Sequence, residues 1–454
     1  MSGPEVITLG CRLNLAESAA MRALAAAEDD LIIVNSCAVT NEAVRQARQT
    51  IRRAKRARPE ARIVVTGCAA QVEPETFAAM PEVSRVVGNR EKLEPSSFQR
   101  SLEPRADTGA AGSLDEFAAF AGMRERVKVS DIFAVRETAP QLVDAFAERS
   151  RAFIEVQNGC DHRCTFCIIP FGRGNSRSVP AGAVVERIKA LVDQGFAEVV
   201  LTGVDVTSYG PDLPGAPSLG LLVERVLRYV PDLPRLRLSS LDCVEIDPRL
   251  EEIVVGEPRF MPHLHMSFQA GDDMVLKRMK RRHSRTQAIE TVGRLKARRP
   301  ELAIGADLIA GFPTETDEMH ENSIRLIDEC DIVMGHVFPY SPKRGTPAAR
   351  MPQVPAAAVK ERARRLREAC ARQCAKWLEG MVGTTQRVLV EKGGNGHAEN
   401  FAFVQLIHTR SSRAKSRGPG TEPEQRPSTS LGTNEVVEVV IAAVEGDHLI
   451  GAPR

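Results

Sequence analysis

The chain of 454 residues lacks several features that would narrow its chemistry early. It lacks charge imbalance: 61 Lys+Arg against 59 Asp+Glu leave a formal net charge of +2, which excludes a histone-like polycation. Aromatic side chains are scarce, with 16 Phe, 3 Tyr and 1 Trp, so contact with RNA must lean on charge more than on base stacking. Long apolar runs are missing too. Leu31-Ile32-Ile33-Val34 is typical, far short of the roughly 18 residues of a membrane span. The opening MSGPEVITLGC has no basic segment followed by an apolar one. No signal peptide is therefore expected, and the expected location is cytoplasmic.

What is present is an ordinary globular composition, 43% apolar and 26% charged, in a chain long enough for two to four domains. Over residues 1–95, short apolar runs (Glu5–Gly10, Leu31–Ser36, Arg62–Gly67, and a weaker Arg85–Asn89) alternate with Ala- and Arg-rich helical patterns. That is the βαβ rhythm of a doubly wound parallel sheet. Residues 96–150 show no period and read as a linker with one or two helices. Over 151–378 the alternation resumes with six strand candidates, at 153–157, 198–202, 235–240, 263–268, 303–309 and 332–338. Six repeats fall short of a closed eightfold barrel, so a partial (β/α)6 barrel is expected. Residues 379–454 turn to short strands and turns, the pattern of a small β-barrel. The stretch 409–433, rich in Pro, Gly, Ser and charge, reads as a disordered insertion in it.

In a reducing compartment, ten cysteines are better suited to metal or chemistry than to disulfides. Cys160, Cys164 and Cys167 lie within eight residues, directly after the first strand of the central domain. Three thiolates on such a loop suit one face of an iron–sulfur cluster, leaving one iron open. A zinc site completed by a fourth ligand such as His162 is the alternative. A second set, Cys11, Cys37 and Cys68, is spread out, yet each member directly follows a strand candidate. Parallel strands end along one edge, so these three thiols can meet there, although three unrelated buried cysteines would read the same way. Cys243, Cys330, Cys370 and Cys374 read as packing residues.

The cysteine motif at 160, 164 and 167 resembles the radical S-adenosylmethionine signature. Together with TLGCRLN (8–14), VNSCAVT (34–40) and VTGCAAQ (65–71) it resembles the methylthiotransferases. TLGCRLN, LTGVDVTSYG (201–210) and the β-rich end are closest to the MtaB-type branch, which acts on tRNA N6-threonylcarbamoyladenosine. The resemblance implies two 4Fe-4S clusters. Cys160, Cys164 and Cys167 would hold the one that binds S-adenosylmethionine, and Cys11, Cys37 and Cys68 an auxiliary one. It implies a transferase that adds a methylthio group to carbon 2 of the adenosine beside the anticodon. It further implies a TRAM-like RNA-binding end domain, with tRNA, an electron donor and a sulfur source as partners. Phe166, Gly203, Asp205 and Gln269 are candidates for contact with S-adenosylmethionine, while His265 and Asp307 would point into the barrel. Each of these has a plain structural reading as well: a packed ring, a turn glycine, a satisfied polar pair.

Three departures from the family pattern stand out. Only 25 residues separate Cys11 from Cys37, Asn175 stands in FGRGNSRS, and residues 409–433 interrupt the end domain. Basic side chains cluster at 41–62, at 277–285 and at 360–376, and Arg45, Arg48, Arg52 and Arg56 share one helix face. These stripes are expected to meet phosphates. Rival functions are a methylthiotransferase for N6-isopentenyladenosine or for a ribosomal-protein aspartate, and, outside catalysis, a zinc-containing RNA-binding protein.

Overall fold

The structure, a computed structural model, describes residues 3–99, 126–136, 150–391, 393–407 and 434–454. Most of the expected linker and the whole of 409–433 lie outside the described residues.

The first sheet contains β1 (Glu5–Thr8), β2 (Leu31–Ser36), β3 (Arg62–Gly67), β4 (Arg85–Val87) and β5 (Val127–Lys128), all parallel. Side-chain alternation divides its apolar residues between two layers. Ile32, Val34, Ile63 and Val65 pack with Val44, Ala47 and Ile51 of helix Asn41–Ala57. Leu31, Ile33 and Val64 pack with Met21 and Ala25 at the end of helix Arg12–Leu24, and with Phe98. Helices thus cover both faces, as a doubly wound sheet requires. The strand order corrects that expectation, because it runs straight from β1 to β5 with no reversal. Periodicity reports which residues are buried, not which neighbour a strand pairs with. A further difference is β5, which falls in the stretch read as linker and is too short to show alternation.

The central unit carries β6 (Arg151–Asn158), β7 (Arg177–Ser178), β8 (Glu198–Gly203) and β9 (Arg235–Leu238) in one sheet. A second sheet holds β10 (Ser240–Leu241), β11 (His263–Gln269), β12 (Ala303–Ala310) and β13 (Ile332–Pro339). Ser239 alone separates β9 from β10, so the two sheets follow one another with six main parallel strands. β13 does not pair with β6, which leaves the barrel open on that side. Even-numbered side chains such as Ile154, Val156, Leu264 and Met266, with Ala306 and Leu308, pack under the surrounding helices. The opposite positions line the lumen, and many of them are polar.

The end domain is a closed five-stranded barrel, β14 (Thr385–Val390), β15 (Asn395–Ala398), β16 (Phe403–Leu406), β17 (Val436–Glu445) and β18 (His448–Pro453). β15 lies partly within a Gly-rich segment that reads as a turn from sequence. Leu378, from the end of the long helix Ala356–Glu379, caps the barrel core beside Val388, Val404 and Val439. No helix among the described residues is long and apolar enough to cross a membrane.

Barrel and end domain meet at the N-terminal ends of the central strands. The fully buried Glu198 accepts ion pairs from Arg151 at 2.6 Å, Arg237 at 2.9 Å and Arg235 at 3.1 Å. Arg237 also donates to the carbonyls of Ala398 and Glu399, at 3.0 and 2.7 Å. Phe401, with φ +73, inserts among Arg237, Arg151 and the stacked ring of His263, at 5.0, 5.1 and 4.9 Å. Burial alone would raise the Glu198 carboxyl, but the three guanidiniums hold it at about 2.

Glu198→Gln is expected to lower unfolding free energy by about 3–5 kcal/mol, because it strands buried cations. Denaturant unfolding of the two chains measures this. The carboxyl titrates lower when folded than when unfolded, so its contribution is full above about pH 4.5 and is lost as pH falls toward 2. The gap between wild type and variant should close over that range.

Candidate functional site

Each cysteine of the dispersed set begins the segment after a strand. Cys11 caps helix Arg12–Leu24, Cys37 follows β2, and Cys68 opens helix Cys68–Val72 after β3. Parallel neighbours end together, which brings the three to one edge. Burial, followed by the charges of Cys68 and Cys11, pushes the Cys37 thiol up to about 11. All ten cysteines are free.

Cys160, Cys164 and Cys167 occupy the loop between β6 and helix Ile169–Arg173. Cys160 donates to Asp205 Oδ2 at 3.5 Å, and burial followed by Asp205 drives its thiol well upward. Cys164 differs. Burial opposes its ionisation, but hydrogen bonds from His162 and Arg281 outweigh this and hold it below the usual thiol range. Arg281 donates to Cys164 Sγ at 3.7 Å and is itself fixed by Asp242 Oδ2 at 2.8 Å. His162 lies 3.2 Å from Asp205 and 3.3 Å from Glu245, and is drawn up to about 10 by Cys164 first and Glu245 second.

Cys37, Cys160 and Cys167 each have their thiol raised by burial first and by neighbouring cysteines after it. A multiply charged cationic centre bound by thiolates reverses that shift. Arg281 beside Cys164 and Asn89 beside Cys68, at 3.7 Å each, also aim N–H groups at sulfur, as ligands of an iron–sulfur centre commonly receive. The residues therefore fit such a group.

The triads face each other. Gly172, just past the compact motif, packs on Cys68 so closely that a Cβ there would lie 3.1 Å from the Cys68 Cβ. Burial first, with Cys164 and Cys68 adding to it, pushes the Cys167 thiol up to about 12. Behind this contact sits a buried ionic group that sequence reading missed. Glu17 accepts from Arg173 at 2.8 and 3.0 Å and from Lys92 at 2.6 Å, with all three side chains at most 2% exposed. Arg173 also donates to Asn14 Oδ1 at 2.6 Å, and Lys92 to Asn89 Oδ1 at 2.6 Å. Burial would raise Glu17, yet Arg173 and Lys92 hold it at about 2. The available signal was Asn14 and Glu17, three apart on an otherwise Ala-rich helix.

The other sequence candidates spread over this region. Gly203 ends β8, where a Cβ would meet the Gln157 carbonyl at 2.7 Å. Asp205 follows it, its backbone N–H donating to Gln157 Oε1 at 2.8 Å and its carboxylate accepting from Ser208 at 2.9 Å. Gln269 closes β11 at φ +69. Phe166 packs edge-on against Phe312 at 6.4 Å. Asn175 accepts from Arg163 at 2.8 Å. Cys243, Cys330 and Cys370 stand in the apolar core, and Cys374 packs against the end barrel.

The basic stretches separate on inspection. On helix Asn41–Ala57, Arg48, Arg53 and Arg56 are exposed and have no ion-pair partner among the described residues. In 277–285, Arg281, Arg282 and Arg285 are bound to Asp242, Glu245 and Glu329, so three of the six basic side chains in this stretch are committed internally. Arg362, Arg364 and Arg365 likewise pair with carboxylates.

Glu17→Gln should destabilise the apo chain by about 3–5 kcal/mol, since it leaves two buried cations facing each other. Replacing Glu17, Lys92 and Arg173 together by Leu, Met and Met should recover most of that loss. Urea titration of the single and triple variants checks both outcomes.

Comparison with known proteins bears on this geometry. Residues 154–327 match the Radical SAM superfamily model, and residues 5–88 match that of Uncharacterized protein family UPF0004. A Rickettsia prowazekii protein named threonylcarbamoyladenosine tRNA methylthiotransferase MtaB is 49% identical over 88% of this chain and 91% of its own length. Its namesake from Aquifex aeolicus is 34% identical, over 88% and 95%. A tRNA-2-methylthio-N(6)-dimethylallyladenosine synthase from Erythrobacter litoralis is 34% identical, over 86% of each chain. The radical SAM match implies S-adenosylmethionine and a 4Fe-4S cluster as cofactors. On identity and coverage, the chain belongs to the radical SAM methylthiotransferases, in the MtaB family.

Proposed function

We propose that this protein is the tRNA methylthiotransferase that places a methylthio group on carbon 2 of N6-threonylcarbamoyladenosine beside the anticodon. The observation that carries the chemistry is the packing of Gly172, just past the compact cysteine motif, on Cys68 of the dispersed set. The substrate follows the relatives: 49% identity to an MtaB protein, against 34% to the dimethylallyladenosine synthase.

In this reading Cys160, Cys164 and Cys167 hold one 4Fe-4S cluster, and Cys11, Cys37 and Cys68 hold the second. Bound S-adenosylmethionine and the clusters supply a carbon-centred radical, a methyl group and the sulfur site. The chain supplies position. Arg281 and His162 stabilise the Cys164 thiolate by hydrogen bonding, and Asp242 fixes Arg281. Gln157 shapes the Gly203–Asp205 turn, and Asp205, with Gln269 and Phe166, would hold S-adenosylmethionine. The Glu17–Arg173–Lys92 group holds the two units in register, so that one bound base can meet both centres. An anticodon loop is single-stranded already, which lowers the cost of bringing its base out of the stack.

We divide the chain into an N-terminal methylthiotransferase domain (1–95), a linker (96–150), the radical SAM domain (151–378) and a TRAM-like RNA-binding domain (379–454). The free arginines of helix Asn41–Ala57 and the exposed face of the end barrel are the phosphate-binding surface. An electron donor and a sulfur source are the remaining partners that the chemistry requires.

Anaerobically reconstituted wild type should hold about eight irons and no zinc. Replacing Cys11, Cys37 and Cys68 together by Ala should leave about four, with S-adenosylmethionine cleavage retained and sulfur insertion lost. Cys164→Ala should lose cleavage. Stoichiometric zinc would overturn the reading. Nucleoside mass spectrometry of tRNA from cells lacking the gene tests the substrate. The threonylcarbamoyl product should vanish while the methylthio-isopentenyl product persists; the reverse result would assign the other base.

A further inference from the structure

The lumen of the open barrel holds a polar group that the steps above leave unused. His265 on β11, Asp307 on β12 and His336 on β13 stand side by side. His265 Nε2 lies 3.0 Å and His336 Nδ1 3.2 Å from the same Asp307 oxygen, with the two rings 4.7 Å apart. Their strand neighbours Leu264, Met266, Ala306 and Leu308 turn into the helix-covered core, so these three face inward. Gly305 makes room for the His265 ring, since a Cβ there would lie 2.5 Å from Nδ1. The group is open: the His336 side chain is 60% exposed, on the strand that edges the barrel's gap.

Arg12, the residue after Cys11, reaches into the same lumen from the N-terminal unit. Its guanidinium lies over the rings of Phe153 and Phe401, at 6.0 and 5.6 Å. Among the described residues it has no hydrogen-bond or ion-pair partner. Arg151 and Arg237 lie over the same Phe401 ring, at 5.1 and 5.0 Å, and His263, two residues before His265 on β11, stacks on it at 4.9 Å. A guanidinium placed among other cations without a carboxylate of its own is set up to receive an anion. The cluster beside it adds hydrogen-bonding groups of both kinds.

We propose that Arg12, His265, Asp307 and His336 form the subsite for a polar, carboxylate-bearing N6 substituent of the target adenosine. Arg12 meets the carboxylate, while Asp307 and the imidazoles meet hydroxyl and urea groups. This rests on the proposed function, and it names what selects the substrate. Carbon 2 and carbon 6 flank N1 in the adenine ring, so the C2–H and C6–N6 bonds point in well-separated directions. A base offered with carbon 2 toward the cysteine motif, at the C-terminal strand ends, therefore turns its N6 substituent into the lumen. An apolar isopentenyl group there would leave the guanidinium and imidazoles desolvated and unpaired. Sites built to bond polar groups reject their apolar analogues strongly for that reason.

The test uses the reconstituted enzyme and three fluorescent anticodon stem-loops, carrying adenosine, N6-isopentenyladenosine or N6-threonylcarbamoyladenosine at the target position. Wild type should bind the threonylcarbamoyl loop roughly 10- to 100-fold more tightly than the other two. Arg12→Gln and His336→Phe should erase most of that ratio, while Arg12→Lys keeps part of it. Thermal melting of each variant shows that it is folded. The ratio itself is an internal control, because general RNA affinity cancels from it.

If wild type discriminates and both variants discriminate equally well, the subsite is elsewhere and the proposed function stands. If wild type binds the three loops alike, the subsite inference fails, and methylthiolation of the threonylcarbamoyl loop by wild type then decides the function separately. A divalent metal bound beyond the cluster iron, and lost in His336→Phe, would also overturn the inference, by making the triad a metal site.

Discussion

The contact on which the rest depends is one buried carboxylate shared by two cations. Glu17 comes from the helix that follows Cys11, Lys92 from the turn after β4, and Arg173 from the helix that follows Cys167. An unpaired charge in this position would cost several kcal/mol, so the group forms completely or the interface does not form. The same arms extend to Asn14 and Asn89, and through Asn89 to Cys68 and the Gly172 carbonyl. Two units that each carry three thiols are thereby held at one separation. A reaction that needs both a radical source and a sulfur site within reach of one base requires such a fixed relation.

A second ionic knot does comparable work at the other end of the barrel. Glu198 gathers three arginines, and Phe401 of the end domain is wedged among them. The end β-barrel is therefore joined to the radical SAM unit by buried charge and an aromatic plug, in addition to the long helix that connects them. Arg12 lies over the far side of the same ring. The floor of the lumen thus joins all three units, and it is where the chain keeps an uncommitted cation.

Much of the site was legible in sequence because it is local. Cys160, Cys164 and Cys167 are spaced by the loop that holds them, and Cys11, Cys37 and Cys68 each follow a recognisable apolar run. Leu31–Ser36 and Arg62–Gly67 were readable to the residue, and the longer strands of the central unit to within one or two residues at their ends. Two-residue strands such as Val127–Lys128 and Arg177–Ser178 were not, since they are too short to carry a period. The straight strand order of the first sheet was also invisible, because pairing is a long-range choice.

Charge shows the same division. Sequence marked three basic stretches as equivalent, yet Arg281 is turned inward to Cys164 and Asp242, while Arg48 and Arg56 stand free on a helix face. The partners of Arg281 lie far away in the chain, so no spacing rule reaches them. By itself, then, the sequence determined the placing of the two cysteine sets, the succession of parallel βα units and the β-rich end, because each is written in neighbouring residues. Only the tertiary structure decided which charges are spent on holding the units together and which remain for a ligand. That choice depends on burial and on partners from 39 to 156 residues apart.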